Sequence, residues 1–139
     1  MKLLTTAVLA TAVLALAACQ PKNSGRDGSS QLTAATLQVD FTWVGTEACS
    51  SDSPAFTIGG VPEGTTRLRF AMKDLDVPTY NHGGGTVGFS GSPDIPAGAF
   101  AYKGPCPPSG SHRYQWTVQA LDAGGEIIGE GYATQAFPP

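Results

Sequence analysis

Apolar side chains recur at every second position in two stretches of the chain. In Arg67-Leu68-Arg69-Phe70-Ala71-Met72-Lys73, the apolar Leu68, Phe70 and Met72 alternate with basic or small residues. In Arg113-Tyr114-Gln115-Trp116-Thr117-Val118-Gln119-Ala120-Leu121-Asp122, Tyr114, Trp116, Val118 and Ala120 fall on one side. A period of two marks a strand with one face against a core and the other in water. Shorter strands are predicted over 37–43, 55–58, 86–89, 99–102 and 126–135. Turn signals separate them: Gly59-Gly60, Pro62-Glu63-Gly64, Gly83-Gly84-Gly85, the proline-rich stretch 105–108, and Gly124-Gly125. Beyond the N-terminal segment no stretch keeps a 3.6-residue apolar period for three turns, and no internal repeat is visible. The pattern predicts an all-β domain, with a sandwich or Greek-key arrangement as the default.

Composition narrows the class further. The chain has 139 residues, 41% hydrophobic, with 18 Gly and 11 Pro, which fits one turn-rich domain and argues against a helical bundle. Ordinary apolar content and a net charge of −3 argue against disorder. Eight basic residues face eleven acidic ones without a run of either sign. Nucleic-acid binding by counterion release needs clustered Lys and Arg, so nucleic acid is not an expected partner.

The N-terminus reads differently. Residues 1–19 are MKLLTTAVLATAVLALAAC: one positive charge, an apolar stretch too short to span a bilayer comfortably, then small residues before a cysteine. Leu16-Ala17-Ala18-Cys19 resembles a bacterial lipobox. That reading makes 1–18 a lipoprotein signal peptide and Cys19 the acylated residue, more than one acyl chain being what stable anchoring requires. An ordinary signal peptide with an incidental Cys19, or an uncleaved anchor, are the alternatives. Residues 19–34 are rich in Pro, Gly and Ser and read as a lipidated flexible tether. The folded domain is expected over 35–139. Gln20 after the cysteine, by resemblance to enterobacterial lipoproteins, favours the outer membrane facing the periplasm.

Two cysteines remain, Cys49 and Cys106, with no C-x-x-C to suggest zinc or thioredoxin chemistry. Export would place them where a disulfide can form; two free thiols are the other possibility. Candidate chemistry centres on the two histidines. His82 follows Asp74-Leu75-Asp76-Val77-Pro78-Thr79-Tyr80-Asn81, and His112 precedes Arg113-Tyr114. Each stands where a strand is expected to meet a loop. A carboxylate, two imidazoles and a phenol converging there would make a small polar pocket for an anion. Turn aspartates and exposed histidines are the plainer reading of the same residues.

Several blocks occur in order: Ser53-Pro54-Ala55-Phe56, Gly60-Val61-Pro62-Glu63-Gly64-Thr65, Asp74-Leu75-Asp76-Val77-Pro78, Gly104-Pro105-Cys106-Pro107-Pro108, His112-Arg113-Tyr114, and Thr117-Val118-Gln119-Ala120-Leu121-Asp122. The series, spanning 49–122, resembles the phosphatidylethanolamine-binding protein family, in its bacterial Raf-kinase-inhibitor-like branch. The resemblance implies a Greek-key β-sandwich with an anion pocket at one end. It implies Asp74, Pro78, Gly104, Pro105, His112 and Tyr114 as pocket residues, each on its motif position. His82 is the candidate for the family's other pocket histidine. It departs from the pattern, because it comes soon after Pro78 and is followed by Gly83 where the family has tryptophan. The chain also leaves little room for the C-terminal helix that flanks the pocket in many members.

The expected function is therefore a membrane-anchored binding module for phosphate, a carboxylate or a phospholipid headgroup, with no cofactor. The alternative is a protein–protein inhibitor or modulator of a protease, a kinase or an envelope partner. An enzyme is not expected. Gly88-Phe89-Ser90-Gly91-Ser92 imitates a nucleophile elbow but ends in serine and has no following helix. A zinc site of Asp74, His82 and His112 has suitable donor atoms but no ligand spacing, so no metal is expected.

Overall fold

The computed structural model describes residues 34–139. The proposed signal peptide, Cys19 and nearly all of the proposed tether lie outside them. The described residues are all-β: β1 (Ala35–Thr36), β2 (Gln38–Thr42), β3 (Ala55–Gly59), β4 (Arg67–Asp74), β5 (Asn81–Gly88), β6 (Asp94–Ile95), β7 (His112–Leu121) and β8 (Ile127–Phe137). Five strands form one sheet in the order β1-β8-β7-β4-β5, and three form a second in the order β2-β3-β6. All pairings are antiparallel except β1 with β8. No helix occurs among the described residues, and none flanks the C-terminal strand.

The period-two stripes become the core. On β4, Leu68, Phe70, Met72 and Asp74 are buried while Arg67, Arg69, Ala71 and Lys73 are exposed. Antiparallel register sets Leu68 opposite Ala120, Phe70 opposite Val118, Met72 opposite Trp116 and Asp74 opposite Tyr114. The apolar side chains among them meet Phe41, Phe56 and Ile58 of the smaller sheet, and Trp43 just after β2, in one hydrophobic cluster. Phe56 packs on Phe70 at 4.7 Å and edge-on to Trp116 at 5.2 Å between ring centroids. Burying each such side chain contributes about 1.5–3 kcal/mol, and this inter-sheet layer is what fixes the strand ends in space.

β5 departs from expectation. The Gly83-Gly84-Gly85 run, predicted as a turn, lies inside the strand. Gly85 faces inward, and a Cβ there would sit 2.5 Å from the Phe100 ring, which stacks on Phe70 at 5.0 Å. Glycine at this point therefore makes room for an aromatic ring. Gly83 has another role. Ala71 pairs with Gly84 and Lys73 with Asn81, so two steps on β4 face three on β5. The extra residue forms a β-bulge with Gly83 at φ +73°, a conformation that suits glycine. The bulge decides where His82 points. Continuing the alternation back from Val87 and Gly85, which lie opposite Leu68 and Phe70, would place residue 82 on the solvent face. One inserted residue reverses that, and His82 is 3% exposed.

Two further expectations change. Residues 99–102 form no strand; one isolated bridge, Asp52 with Ala101, is all the ladder they make. β6, two residues long, was not anticipated. Charge is also arranged in a way the linear order hides. Of the basic residues Arg67, Arg69, Lys73, Lys103 and Arg113, four stand on the outer face of the larger sheet. Arg113 pairs there with Asp76, and Arg69 bonds Gln119, which in turn bonds Glu130, so the patch is partly neutralised.

Candidate functional site

The inward stripes of β4 and β7 end in polar residues at the same edge of the sheet. Asp74 closes the β4 stripe, and His112 begins the β7 stripe two residues before Tyr114. His82 joins them from β5 through the bulge. Together with Val77, Tyr80, Cys106, Pro107 and Pro108 they line a cavity of about 360 Å³. Asp74 and Tyr114 are buried, at 3% and 1% exposure, and the His112 side chain is 16% exposed.

Each polar group is held by named partners. Asp74 Oδ2 accepts a hydrogen bond from His112 Nδ1 at 2.8 Å. Its Oδ1 accepts from the backbone N–H of Asp76 at 2.8 Å and of Val77 at 3.0 Å, which fixes the turn after β4. Burial pushes the Asp74 pKa up, but these three hydrogen bonds and the nearby His112 charge outweigh it, so the carboxyl sits below its ordinary value. Asp76 accepts from Arg113 N–H at 2.7 Å, tying the same turn to β7 and lowering its own pKa. His82 Nδ1 donates to the Lys103 carbonyl at 2.6 Å, and Lys103 N–H donates back to the His82 carbonyl at 2.9 Å. Burial, then the adjacent Asp74 carboxylate, push the Tyr114 pKa up to about 12, so its hydroxyl keeps its proton.

The tautomers follow. A carbonyl and a carboxylate only accept, so both rings carry a proton on Nδ1, and among the described residues neither Nε2 has a partner. Two imidazole Nε2 atoms are thus the free polar groups around the cavity, with the Tyr114 hydroxyl beside them directed to the Asp74 carboxylate. As imidazolium rings the histidines can donate to an anion.

The far wall is clamped from behind. Cys49 and Cys106 form a disulfide, 57 residues apart in sequence. Cross-linking a loop of that length stabilises by about 4 kcal/mol in the chain-entropy account. Cys49 N–H donates to the Pro105 carbonyl at 2.8 Å. Gly104 presses against the Ser50 backbone, where a Cβ would lie 1.9 Å from the Ser50 carbonyl oxygen. The 104–108 loop is therefore pinned to the 49–50 turn by a covalent bond, a hydrogen bond and a close approach.

The structure brings Asp74, His82, His112 and Tyr114 together around one cavity and leaves three expected residues off its lining. Pro78 is exposed in the turn between β4 and β5; Gly104 and Pro105 are buried behind the wall. Val77, Tyr80, Pro107 and Pro108 line the cavity without having been singled out as ligand-binding. Ser90 lies in the loop after β5, on a separate cavity with residues 58–65, and no helix follows it. Among the described residues no three His, Cys, Asp or Glu side chains form a group able to hold a metal ion.

The fold and site together define a two-sheet β-sandwich with a histidine-lined cavity where its strands end. Solved structures of the same kind carry one family's name. A phosphatidylethanolamine-binding protein homologue from Chlamydia trachomatis is 20% identical, with a TM-score of 0.53 over 75% of this chain and 97% of its own. YbcL from E. coli, described as a member of the mammalian PEBP family, is 18% identical, with a TM-score of 0.53 over 74% of this chain and 97% of its own. The fold is therefore that of bacterial phosphatidylethanolamine-binding-type proteins. No protein-family model and no curated protein matches the chain.

Proposed function

We propose that this chain is a lipid-anchored envelope protein, held through Cys19 and facing the periplasm, whose pocket binds a small anion and catalyses no reaction. The anion class is phosphate, a carboxylate or a phosphate-bearing headgroup. The observation that carries the reading is the convergence of two unpartnered imidazole Nε2 atoms and the protonated Tyr114 hydroxyl on one cavity. As imidazolium rings the two histidines present Nε2–H donors that suit a tetrahedral or planar oxyanion, and Asp74 holds one ring with its second nitrogen free to face it. The names of the fold neighbours, which refer to phosphatidylethanolamine, support a headgroup-sized ligand. The lipobox-like Leu16-Ala17-Ala18-Cys19 supports the anchor.

Calorimetric titration of phosphate and of phosphoethanolamine into the wild type and His112→Ala tests the site. Binding by the wild type and its loss in the variant are expected; unchanged binding would remove His112 from the pocket's function. Cys19→Ala should shift the protein from the membrane fraction to the soluble one.

A further inference from the structure

Tyr80 stands at the mouth of the cavity, 51% exposed, with its ring 4.6 Å from that of His82. Lys103 Nζ lies over the same ring, 5.7 Å from its centroid. That position is not a matter of a loose surface lysine alone. The Lys103 backbone is locked to His82 by the reciprocal pair of hydrogen bonds at 2.6 and 2.9 Å, so the root of this side chain moves with the imidazole that faces the cavity. Val77, 41% exposed, and Pro107 join Tyr80 as apolar groups on the cavity lining, and the Lys103 ammonium stands beside that lining, against the Tyr80 ring.

A headgroup carrying an ammonium would seek an aromatic face at the mouth once its phosphate met the histidines. Here the Tyr80 ring already has a positive charge against it, and a second cation brought to the same ring would be repelled. An uncharged apolar substituent meets the opposite conditions: it covers Tyr80, Val77 and Pro107, and leaves the lysine attracting the anion. We infer that Lys103 and Tyr80 make the pocket selective for monoanionic or dianionic groups bearing an apolar substituent, such as aryl or alkyl phosphate monoesters, over zwitterionic headgroups. The inference rests on the anion-pocket reading given above.

Three probes titrated calorimetrically into the wild type separate the two: inorganic phosphate, phenyl phosphate and phosphoethanolamine. Phenyl phosphate should bind about tenfold more tightly than phosphate, the gain from covering one face of a ring. Phosphoethanolamine should bind no more tightly than phosphate. Lys103→Gln, an exposed change that keeps the backbone pair, should raise phosphoethanolamine relative to phosphate by about fivefold, the scale of one screened charge pair. Tyr80→Ala should abolish the advantage of phenyl phosphate. Tighter binding of phosphoethanolamine than of phenyl phosphate, or a phosphoethanolamine-to-phosphate ratio unmoved by Lys103→Gln, would overturn the selectivity. Equal binding of all three would do so while leaving the anion pocket intact, whereas binding of none would overturn both.

Discussion

Asparagine at position 74 removes one charge from the pocket and little else. The carboxylate it replaces accepts three hydrogen bonds, from His112 Nδ1 and from the N–H groups of Asp76 and Val77, at 2.8, 2.8 and 3.0 Å. An amide oxygen can keep the two turn bonds, but the amide NH₂ then faces the His112 nitrogen. The lost interaction is a hydrogen bond between a buried carboxylate and an imidazole, worth about 2 kcal/mol at neutral pH. Its pH dependence has a definite sign. Burial opposes ionisation of Asp74, yet its hydrogen bonds hold the folded pKa below 3.8, so the unfolded chain takes up the proton first as pH falls. The Asp74 contribution is therefore present above about pH 4 and is lost as pH falls through the folded pKa. Asp76, lowered by the Arg113 N–H, is unchanged in both proteins and drops out of the comparison. Urea unfolding of wild type and Asp74→Asn at pH 7, 5 and 3 should show a gap that is present at pH 7 and 5 and closes towards pH 3. A constant gap would refute the reasoning, since the lost bond would then not depend on the carboxylate charge.

Gly104→Ala should lower stability by about 3 kcal/mol in urea unfolding, because its Cβ would lie 1.9 Å from the Ser50 carbonyl oxygen and both partners are backbone. An unchanged midpoint would mean that the 104–108 loop is not clamped there. Phosphate binding should be accompanied by proton uptake, because each ring already donates from Nδ1 and becomes a donor at Nε2 only as imidazolium. Calorimetry in buffers of different ionisation enthalpy measures this; a heat independent of buffer contradicts it. Deleting Gly83 should restore the regular β4–β5 register and turn His82 to solvent, weakening phosphate binding about tenfold or more with the loss of one charged donor. Wild-type affinity in the deletion would show that the bulge does not place His82.

The main strands were legible because their side chains alternate over seven or more residues, long enough for period two to exclude a helix. The floor of the site was legible for the same reason: Asp74 and His112 are the next members of stripes already identified as inward-facing. β5 was not, since glycines at three successive positions carry no polar or apolar pattern, and they read as a turn. The 99–102 segment misled in the other direction. Phe100 and Tyr102 alternate as strand residues do, but Phe100 spends its ring filling the space above Gly85, and the backbone makes one bridge. Pro78, Gly104 and Pro105 were expected at the ligand on the strength of motif positions. The folded chain uses Gly104 and Pro105 to hold the wall from behind, and Pro78 to make an exposed turn. Tyr80 and Val77 carried no signal, because an exposed aromatic in a loop becomes part of a rim only once the loop is placed.

This division has a physical consequence for how the pocket can vary. The floor residues Asp74, His112 and Tyr114 sit on strands whose inner faces are the hydrophobic core, so displacing them means disturbing Met72, Trp116 and their packing. The rim residues Val77, Tyr80, Pro107 and Pro108 sit on loops held by a few identifiable ties: the Asp74 and Asp76 turn bonds on one side, the disulfide and the Cys49–Pro105 hydrogen bond on the other. His82 belongs to neither group, being a strand residue turned inward by one inserted glycine and bonded to the root of the rim lysine. Substitutions on the rim can therefore change which substituent an anion carries without touching the groups that would hold the anion. Substitutions at Gly83 act on both at once, because the bulge places His82, whose pair with the Lys103 backbone is where floor and rim are joined, whereas a change of the Lys103 side chain leaves that pair in place.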